Sequence, residues 1–410
     1  MCDLRILITG GGTGGHAVPA VATARAIQEQ QKEAPADWQP VFRYVGSRNG
    51  VEARLAKEAG IDFAGIESGK LRRSRSLLGL FQWANITDAF RIPVGIVQAL
   101  AEVYKFRPDV LFSTGGYVSV PPVIAAWLQR RPILAHEQTV QIGLANRIIA
   151  RFATRMAVTF PESIDELPPG LRKKFFVTGN PIRPVLFTGD LDRAVERFGF
   201  DPADNDLPTL YITGGAQGSR IINRVVEERL GDILAIARVI HQCGQQPAGG
   251  EQDYDRLTQA AEKLSPQLQR RYHLTRFVGD EIGDVYALAS LIVGRSGAGT
   301  VTEVCALGKP ALFVPLVPTG GDEQTRNARR LEEIGAAVVI KQDQLDGSRL
   351  LAKLTELLSD RPKLEKMGDA ARTLARPNAA KDLAQAVVDL ALSRKKCAGK
   401  TAAAAPISSG

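Results

Sequence analysis

The sequence predicts an α/β protein made of two similar halves, each with a parallel sheet covered by helices on both faces. Short apolar runs alternate with helical segments from Leu4 to about residue 392, which is the pattern of such sheets. A strand, a glycine loop and a helix open the chain at residues 4–31, and the same series returns at residues 209–230. The length of 410 residues agrees with two domains.

The composition is that of a globular protein with an anionic partner. Hydrophobic residues make up 44% of the chain, but no stretch reaches the ~18 uncharged apolar residues of a membrane-spanning helix. The start, Met1 to Arg5, lacks the regions of a signal peptide, which favours a cytoplasmic protein. The net charge of +8 suits a nucleotide, a phospholipid surface or nucleic acid. Nucleic acid is disfavoured because aromatic and basic residues are not interleaved.

The first half alternates strands and helices in a regular order. We predict strands at 4–9, 41–46, 109–113, 132–135 and 156–159, and helices at 19–31, 51–59, 90–104 and 117–128. A last strand, Phe175–Val177, precedes residues 178–184, whose glycine and prolines suit a linker. The N-terminal domain is therefore placed at residues 1–180.

The second half repeats this order. We predict strands at 209–213, 238–242, 273–278, 289–294 and 310–315, and helices at 219–230, from about 300 to 307, at 322–333 and at 380–392. The C-terminal domain is placed at residues 183–377. The tail, residues 395–410, is rich in Lys, Ala and Ser and is expected to be disordered.

The segment Arg295–Glu303 carries the strongest chemical signal. It follows an apolar strand and leads through Ser, Gly and Ala residues into a short helix that Gly308 ends. N–H groups at such a helix start favour a phosphate. Glu303, about one turn into the helix, could accept hydrogen bonds from ribose hydroxyls. An ordinary strand–helix turn with a surface glutamate explains the segment equally well.

Two glycine loops, residues 10–16 and 214–218, each follow a strand and could cradle a phosphate. The first loop fits Gly-x-Gly-x-x-Gly, but strand 41–46 ends without the acidic residue of a dinucleotide site. Neither loop has the Lys-Ser/Thr of a P-loop. A redox enzyme or an ATPase is therefore disfavoured. Because ligands bind at the carboxyl ends of parallel strands, the loops of the two domains are expected to line a cleft.

His16, beside the first glycine loop, is the leading candidate for a general base, since a neutral imidazole can accept a proton from a sugar hydroxyl. A helix-start histidine bonded to backbone is an equal alternative. His136 and Glu137 form a second polar pair at a strand end with the same two interpretations, whereas His241 and His273 are expected to be structural. The cysteines and histidines lack metal-ligand spacing, so no metal or cofactor is predicted.

Gln324 and Asn327 lie three positions apart and share one face of the predicted helix 322–333. Their amides both donate and accept hydrogen bonds, which suits sugar hydroxyls. A polar helix surface is the alternative.

Residues 70–90 combine a basic cluster with large apolar side chains. Lys70, Arg72, Arg73 and Arg75 precede a run of apolar residues that includes Trp83. This combination can dock on an anionic bilayer surface. A core helix beside a solvated basic loop is the alternative.

Taken together and in order, these motifs resemble the MurG family, the UDP-N-acetylglucosamine transferases that complete the lipid precursor of peptidoglycan. The matching segments are Gly11–His16, Gly115–Ser119, His136–Gln138, Gly179–Arg183, Gly214–Gly218, Arg295–Glu303, Gln324–Ala328 and Gly335–Ala337. The resemblance implies a GT-B fold, in which two Rossmann-like domains face a cleft and the last helix, about 378–394, packs back on the N-terminal domain.

The same resemblance implies a reaction. It is the metal-independent, inverting transfer of N-acetylglucosamine from UDP-N-acetylglucosamine to the 4-hydroxyl of undecaprenyl-diphosphate-linked N-acetylmuramoyl-pentapeptide. The enzyme would act peripherally at the cytoplasmic face of the membrane, docked through residues 70–90, with no nucleic-acid partner and no cofactor.

The resemblance also implies roles for individual residues. His16 would be the base. The acceptor side would include Thr13, Gly14, Gly15, Tyr117, His136 and Glu137. The UDP-N-acetylglucosamine site would include Arg183, Gly215, Gln217, Val278, Ala298, Thr300, Glu303, Gln324 and Asn327.

Three positions depart from the family pattern. Thr139 and Ala216 stand where Asn and Ser are usual, and Glu323 stands where His or Gln is usual. These departures keep open a non-catalytic lipid- or nucleotide-binding protein descended from the transferases. UDP-N-acetylglucosamine 2-epimerases share the fold, but Ser296–Glu303 lacks the Gly-Gly-x-Gln-Glu-Glu pattern of that family, and residues 70–90 would have no use there.

Overall fold

The computed structural model describes residues 2–33, 37–69, 83–165, 167–245, 252–317 and 322–394, with residues 83–90 described by their backbone alone. The chain forms two compact units. The first comprises the residues up to Glu137, then Ile142–Thr178 and the segment that starts at Ala380; the second comprises Gln138–Gln141 and Gly179–Ala379. Residues 70–82 of the basic–apolar segment and the tail 395–410 lie outside the described residues.

The first unit contains a seven-stranded parallel sheet. Its strands are β1 (Cys2–Thr9), β2 (Trp38–Ser47), β3 (Asp62–Ile66), β4 (Val110–Ser113), β5 (Ile133–Glu137), β6 (Arg155–Val158) and β7 (Phe175–Val177). Their order is β3-β2-β1-β4-β5-β6-β7. The helices are α1 (Gly14–Glu33), α2 (Val51–Glu58), α3 (Trp83–Phe106), α4 (Val120–Leu128), α5 (Leu144–Phe152), α6 (Glu162–Asp165) and α7 (Pro169–Arg172).

Two helices begin earlier than the sequence predicts. α1 starts at Gly14 instead of Pro19, and α3 starts at Trp83 instead of Phe90. Pro19 and Pro93 therefore lie inside helices, where each removes one helical hydrogen bond. For Pro19, burial in the core offsets this loss. The earlier start places Gly14, together with the histidine two positions later, in the first turn of α1.

The second unit contains a six-stranded parallel sheet. Its strands are β8 (Thr209–Thr213), β9 (Arg238–Gln242), β10 (Tyr272–Thr275), β11 (Leu291–Gly294), β12 (Ala311–Phe313) and β13 (Ala337–Val339), in the order β10-β9-β8-β11-β12-β13. The predicted helix 219–230 corresponds to a helix that ends at Glu228, and a further helix, Leu230–Ile236, follows it. Its helices are α8 (Leu191–Phe198), α9 (Arg220–Glu228), α10 (Leu230–Ile236), α11 (Asp253–Glu262), α12 (Pro266–Gln269), α13 (Ile282–Leu288), α14 (Ala298–Leu307), α15 (Glu323–Glu333), α16 (Gly347–Leu358) and α17 (Arg361–Arg372). The last helix, α18 (Ala379–Arg394), belongs to the first unit from Ala380 onward.

Each sheet is covered by apolar clusters on both faces, because successive side chains of a strand point to opposite faces. In the first unit, Ile6 and Ile8 belong to one cluster, whereas Leu7 belongs to another. Leu383 and Val387 of α18 pack in the same cluster as Ile6. The last helix is thus part of the first unit's core. Among the described residues, we find no helix that combines the length and the apolar character of a membrane span.

The strand order reverses at one point in each sheet. β1 lies between β2 and β4, and β8 lies between β9 and β11. The connections on the two sides of β1, and likewise of β8, leave in opposite directions and open a crevice beyond the carboxyl ends of the strands. Ligands bind in such crevices in open α/β sheets. The fold therefore confirms the predicted α/β class with two parallel sheets and gives each unit one preferred place for a ligand.

Candidate functional site

In the first unit, the glycine loop after β1 is tied to the turn after β4. The N–H of Gly11 donates to the carbonyl oxygen of Gly115 at 3.3 Å. The hydroxyl of Thr114 donates to the carbonyl oxygen of His16 at 2.7 Å. Because β1 and β4 flank the reversal in strand order, these bonds set the shape of the crevice edge.

The approach of the loop and the turn depends on two glycines. Gly12 and Gly116 both have a φ of +84°, which side chains rarely adopt. A Cβ at Gly12 would lie 2.6 Å from the ring of Tyr117, and a Cβ at Gly116 would lie 2.2 Å from the carbonyl oxygen of Gly11. The ring of Tyr117 therefore packs directly on the glycine loop, at the predicted acceptor side.

His16 lies in the first turn of α1, and its ring is oriented by Thr114. The ring nitrogen Nδ1 is 2.9 Å from the carbonyl oxygen of Thr114. A carbonyl oxygen only accepts hydrogen bonds, so Nδ1 carries the proton and Nε2 carries the lone pair of the neutral ring. This is the tautomer that a general base at Nε2 needs.

Thr13 and Gly15 are exposed and Gly14 is half-buried at the start of α1. The N–H groups of Gly14 and Gly15 belong to the first turn of the helix, which leaves such groups without intrahelical partners. The N–H of Gly12, in contrast, donates to the carboxylate of Glu52 at 3.2 Å. Only part of the glycine loop can therefore serve an anionic ligand. No sequence motif indicated Glu52, which lies 40 positions from Gly12.

His136 and Glu137 are both buried, with 0% and 2% of their surface exposed. Asn146 donates to the carbonyl oxygen of His136 at 3.1 Å and to Glu137 Oε2 at 2.9 Å. Glu137 Oε2 also accepts the N–H of Gly143 at 3.0 Å. The Glu137 carboxylate thus fixes the start of α5, a structural task that the sequence did not distinguish from an acceptor contact. Thr139 closes a local turn by donating to the carbonyl oxygen of Gln141 at 2.7 Å.

In the second unit, the glycine loop after β8 is held by a buried glutamine that the sequence analysis did not single out. Gln242, at the end of β9, donates to the carbonyl oxygen of Gly215 at 2.8 Å. Its Oε1 accepts the N–H of Val278 at 3.1 Å and the hydroxyl of Tyr211 at 3.2 Å. The N–H of Val278 is therefore occupied, so a ligand read by the backbone of this residue would meet its carbonyl oxygen. Gln217 is exposed in the loop.

Glu303 lies on α14 and is oriented by a tyrosine. The hydroxyl of Tyr286 donates to Glu303 Oε2 at 2.8 Å. Burial raises the pKa of Glu303, while the charge of Arg183 and the Tyr286 hydrogen bond act in the opposite direction. One carboxylate oxygen is thus engaged by the protein, which fits a group whose second oxygen accepts ligand hydroxyls.

The start of α14 forms another part of the crevice in the second unit. The N–H groups of Ala298, Gly299 and Thr300 belong to the first helical turn and have no intrahelical partners by position. A Cβ at Gly297 or at Gly299 would meet nothing within 4 Å. The helix start is therefore open, and its partial positive charge favours a phosphate.

Of the two amides on α15, only one remains suited to a sugar contact. Asn327 is buried at 1% exposure and donates to the carbonyl oxygen of Ser296 at 3.1 Å. Gln324 is half-buried, and its Oε1 accepts the N–H of Leu316 at 2.9 Å. Its amide NH₂ can therefore donate to a different partner. The hydroxyl of Ser296 donates to the carbonyl oxygen of Gln324 at 2.7 Å. Asn327 thus supports this region from within.

His241 is the centre of a buried polar network behind the second glycine loop. Its Nε2 is 3.1 Å from Asn223 Oδ1, and its Nδ1 is 2.8 Å from the hydroxyl of Tyr272. Asn223 donates to the carbonyl oxygen of Cys243 at 2.9 Å and to Asp253 at 2.7 Å. The structural role expected for His241 agrees with these contacts.

This network predicts acid sensitivity of folding. Burial lowers the pKa of His241 to about 3, so below pH ~6.5 the unfolded chain binds a proton that the folded chain excludes. This group's contribution to stability is full above pH ~6.5 and falls by up to about 1.4 kcal/mol per pH unit down to the folded pKa. In urea unfolding, His241→Asn should be less stable than native at pH 7 but lose less stability between pH 6.5 and 4.5. Equal losses of stability in the native and variant proteins over this pH range would contradict the prediction.

In the described part of the chain, no three His, Cys, Asp or Glu side chains are grouped so that they could hold a metal ion. The two described crevices differ in chemistry. The first offers an oriented imidazole beside a glycine loop, which suits proton removal. The second offers a helix start, an arginine and a carboxylate, which suit a phosphate and neighbouring hydroxyls.

Comparison with known proteins identifies the family. A model of the glycosyltransferase family 28 N-terminal domain matches residues 6–158, and one of the family 28 C-terminal domain matches residues 209–386. A UDP-N-acetylglucosamine–N-acetylmuramyl-(pentapeptide) pyrophosphoryl-undecaprenol N-acetylglucosamine transferase of Clostridium botulinum is 35% identical over 360 residues, which cover 87% of this chain and 92% of the relative. The transferase of the same name from Treponema pallidum is 35% identical over 382 residues, covering 93% and 94%.

Solved structures agree with this result. The crystal structure of MurG from Acinetobacter baumannii matches with a TM-score of 0.68 and 26% identity, covering 94% of this chain and 99% of that one. A UDP-GlcNAc 2-epimerase from Neisseria meningitidis matches with a TM-score of 0.63 but 14% identity, covering 94% and 100%, a likeness in fold alone. The predicted GT-B architecture of two Rossmann-like domains is confirmed. The chain therefore belongs to glycosyltransferase family 28 and, within it, to the family of the MurG N-acetylglucosamine transferases.

Proposed function

We propose that this chain transfers N-acetylglucosamine from UDP-N-acetylglucosamine to the 4-hydroxyl of undecaprenyl-diphosphate-linked N-acetylmuramoyl-pentapeptide, the step that completes the lipid precursor of peptidoglycan. The observation that carries the proposal is the 35% identity, along nearly the whole chain, to transferases named for this reaction. The acceptor oxygen attacks the anomeric carbon from the face opposite to UDP, so the configuration inverts. The bond from that carbon to the diphosphate breaks, and its electron pair leaves with UDP.

The second unit is the proposed donor side. Arg183 and the N–H groups at the start of α14, with Ala298 and Thr300, would stabilise the charge that develops on the departing diphosphate. Glu303 would accept hydrogen bonds from the ribose. Val278 would contact the base through its carbonyl oxygen, because its N–H already donates to Gln242 at 3.1 Å.

The remaining proposed donor contacts come from the glycine loop after β8 and from α15. Gly215 and Gln217 would shape the diphosphate pocket, although the N–H of Gly215 donates to Thr213 Oγ1 at 3.0 Å. The amide NH₂ of Gln324 would contact the sugar, with Asn327 as a support behind it. Ala216 removes the hydroxyl that is usual in this loop, so the backbone carries more of the contact.

The first unit is the proposed acceptor side. His16 Nε2 would take the proton of the attacking hydroxyl, since Nδ1 is held by Thr114 at 2.9 Å. Thr13, Gly14 and Gly15 would meet the acceptor diphosphate, beside the ring of Tyr117. His136 and Glu137 would act on the acceptor indirectly, because both are buried.

We place the enzyme at the cytoplasmic face of the membrane as a peripheral protein. The basic and apolar residues of segment 70–90 support this docking. On α3, Val97 and Tyr104 are each 66% exposed, so this helix also presents apolar side chains to solvent. Binding to vesicles with and without anionic lipid would test this, and binding to neither would remove the docking surface.

Transfer of labelled N-acetylglucosamine to a short-chain lipid-linked muramoyl-pentapeptide, with EDTA present, tests the proposal. Labelled disaccharide-lipid would support donor, acceptor and metal independence together. A UDP-sugar converted without acceptor would replace the proposal with an epimerase. UDP binding without any product would favour a binding protein.

Gly14→Ala separates the acceptor site from folding. A Cβ at Gly14 would meet nothing within 4 Å, and alanine is favoured over glycine in a helix by up to ~1 kcal/mol. We expect an unchanged or higher melting temperature, but an acceptor KM raised about tenfold because the Cβ obstructs the diphosphate. The contrasting variant is Gly116→Ala, which should unfold more easily because its Cβ would lie 2.2 Å from the Gly11 carbonyl oxygen. An unchanged acceptor KM in Gly14→Ala would remove this residue from the site.

A further inference from the structure

We infer that Glu52 is a positioning residue for the transfer reaction: its buried carboxylate fixes the glycine loop after β1 and, through that loop, the placement of His16. The inference rests on the proposed function and adds to it a residue that no sequence motif indicated. Glu52 is the second residue of α2 and has no exposed surface. It is therefore a residue that acts through the loop and does not touch the substrate.

The two carboxylate oxygens of Glu52 join two loops. Oε1 accepts the N–H of Ser47, at the end of β2, at 3.0 Å. Oε2 accepts the N–H of Gly12, in the glycine loop, at 3.2 Å. The loops that follow two neighbouring strands of the sheet are thus bonded to one side chain.

Three glycines allow this carboxylate to lie where it does. A Cβ at Gly11 or at Gly50 would lie 2.3 Å from the carboxyl carbon of Glu52, and a Cβ at Gly46 would lie 2.7 Å from its Cγ. Each glycine lies in a different part of the surrounding chain: the glycine loop, the end of β2 and the start of α2. The shape of all three segments is therefore complementary to the Glu52 side chain.

The buried charge of Glu52 is stabilised by its surroundings. Its two N–H donors and the N-terminus of α2 all favour an anion at this position. Burial and, secondly, the charge of Glu52 raise the pKa of Tyr44, whose hydroxyl donates to the carbonyl oxygen of Gly10. The glycine loop is thus held at two positions: the N–H of Gly12 donates to Glu52, and the carbonyl oxygen of Gly10 accepts from Tyr44.

The bonds to the glycine loop also position His16, because a short segment of chain joins Gly12 to His16. The N–H of His16 bonds to the carbonyl oxygen of Thr13 at 3.2 Å, one residue after Gly12. On the other side, Thr114 binds both the ring and the backbone of His16. Without Glu52, the bonds described for the loop come from Tyr44 and from the turn after β4. A displacement of about 1 Å at a reacting group can cost about 10²-fold in rate.

The test compares Glu52→Gln with Glu58→Gln. Glutamine keeps the size of the side chain, but it turns an NH₂ group toward one of the two N–H donors, so one bond is lost. Glu58 is exposed at the other end of the same helix and pairs with Arg54 at 3.7 Å, so it serves as the matched control. We measure kcat per folded enzyme, the pH profile of kcat/KM, UDP affinity, and amide hydrogen exchange at Gly12.

We expect Glu52→Gln to lower kcat by about 10- to 100-fold and to speed exchange at Gly12. UDP affinity and the position of the acidic limb of the pH profile should not change, since Glu52 neither binds UDP nor takes the proton of the acceptor hydroxyl. Glu58→Gln should behave as the native enzyme. An unchanged kcat per folded enzyme, or a lost acidic limb, would overturn the inference. If the native chain transfers no sugar, the proposed function fails by itself, while exchange at Gly12 still reports whether Glu52 holds the loop.

Discussion

Replacing His16 with asparagine is expected to lower the rate of N-acetylglucosamine transfer by about 10²- to 10⁴-fold, the usual loss when a general base is removed. Asparagine keeps an N–H near the position of Nδ1, so the bond to the Thr114 carbonyl oxygen, 2.9 Å in the native chain, can persist. The basic nitrogen Nε2 disappears. The measurement is kcat with a lipid-linked muramoyl-pentapeptide at saturating UDP-N-acetylglucosamine.

Two controls accompany this variant. UDP affinity by calorimetry should stay within about twofold of the native value, because the proposed UDP contacts are residues of the second unit. The same substitution at His273, whose ring packs 4.9 Å from Phe198 in the second unit, should affect stability more than transfer. Native-like turnover of His16→Asn would remove His16 as the base and leave the deprotonating group to be found elsewhere.

Replacing Glu303 with glutamine is expected to weaken UDP binding by about 10- to 100-fold. Hydrogen bonds to charged groups contribute about 1.5–3 kcal/mol, and glutamine removes the charge that the ribose hydroxyls would meet. The hydroxyl of Tyr286, 2.8 Å from Glu303 Oε2, can still donate to the glutamine oxygen, so the core beneath the site should remain intact. Calorimetric titration with UDP measures the loss, and an unchanged Kd in a folded variant would contradict the ribose role.

The pH dependence of UDP binding gives a second test of Glu303. Its pKa is raised by burial, so on acidification the acceptor carboxylate is lost at a higher pH than for an ordinary glutamate, near 4.3. Native UDP affinity should therefore be full above the raised pKa and fall below it. Tyr286→Phe removes a hydrogen bond that lowers this pKa, so the fall should move to still higher pH. Glu303→Gln should abolish this fall of UDP affinity on acidification. If both variants showed the same pH profile as the native chain, the assignment would be refuted.

Parts of the site could be predicted because their signals lie in contiguous sequence. The glycine loop at residues 10–16 and the segment Arg295–Glu303 are each encoded by neighbouring residues that form a strand end, a turn and a helix start. The supporting residues have no such signal. Glu52 meets the loop across 40 positions, and Gln242 meets Val278 across 36. Such contacts depend on which strands become neighbours, and local propensity does not encode this.

Burial and hydrogen bonding add to what the sequence alone indicates about several polar residues. His241, expected to be structural, is fully buried and bonded at both ring nitrogens. Glu137 has the same polar character in the sequence as Glu303, yet it bonds to the N–H at the start of α5. Glu303 instead receives a tyrosine hydroxyl beside an open helix start. The residue type is identical, and only the packing around each carboxylate distinguishes a structural contact from a candidate ligand contact.

The sequence by itself determined the class of fold, the two-part organisation, the family and the reaction that the family implies, because periodicity and short motifs are local properties of the chain. The tertiary structure decided which groups are already engaged and which remain for a ligand. It assigned the Nδ1 proton of His16 through Thr114, committed the N–H of Val278 to Gln242, and placed Glu52 beneath the glycine loop. These are properties of atoms brought together from distant elements, and they arise only when the strands pair and the helices pack.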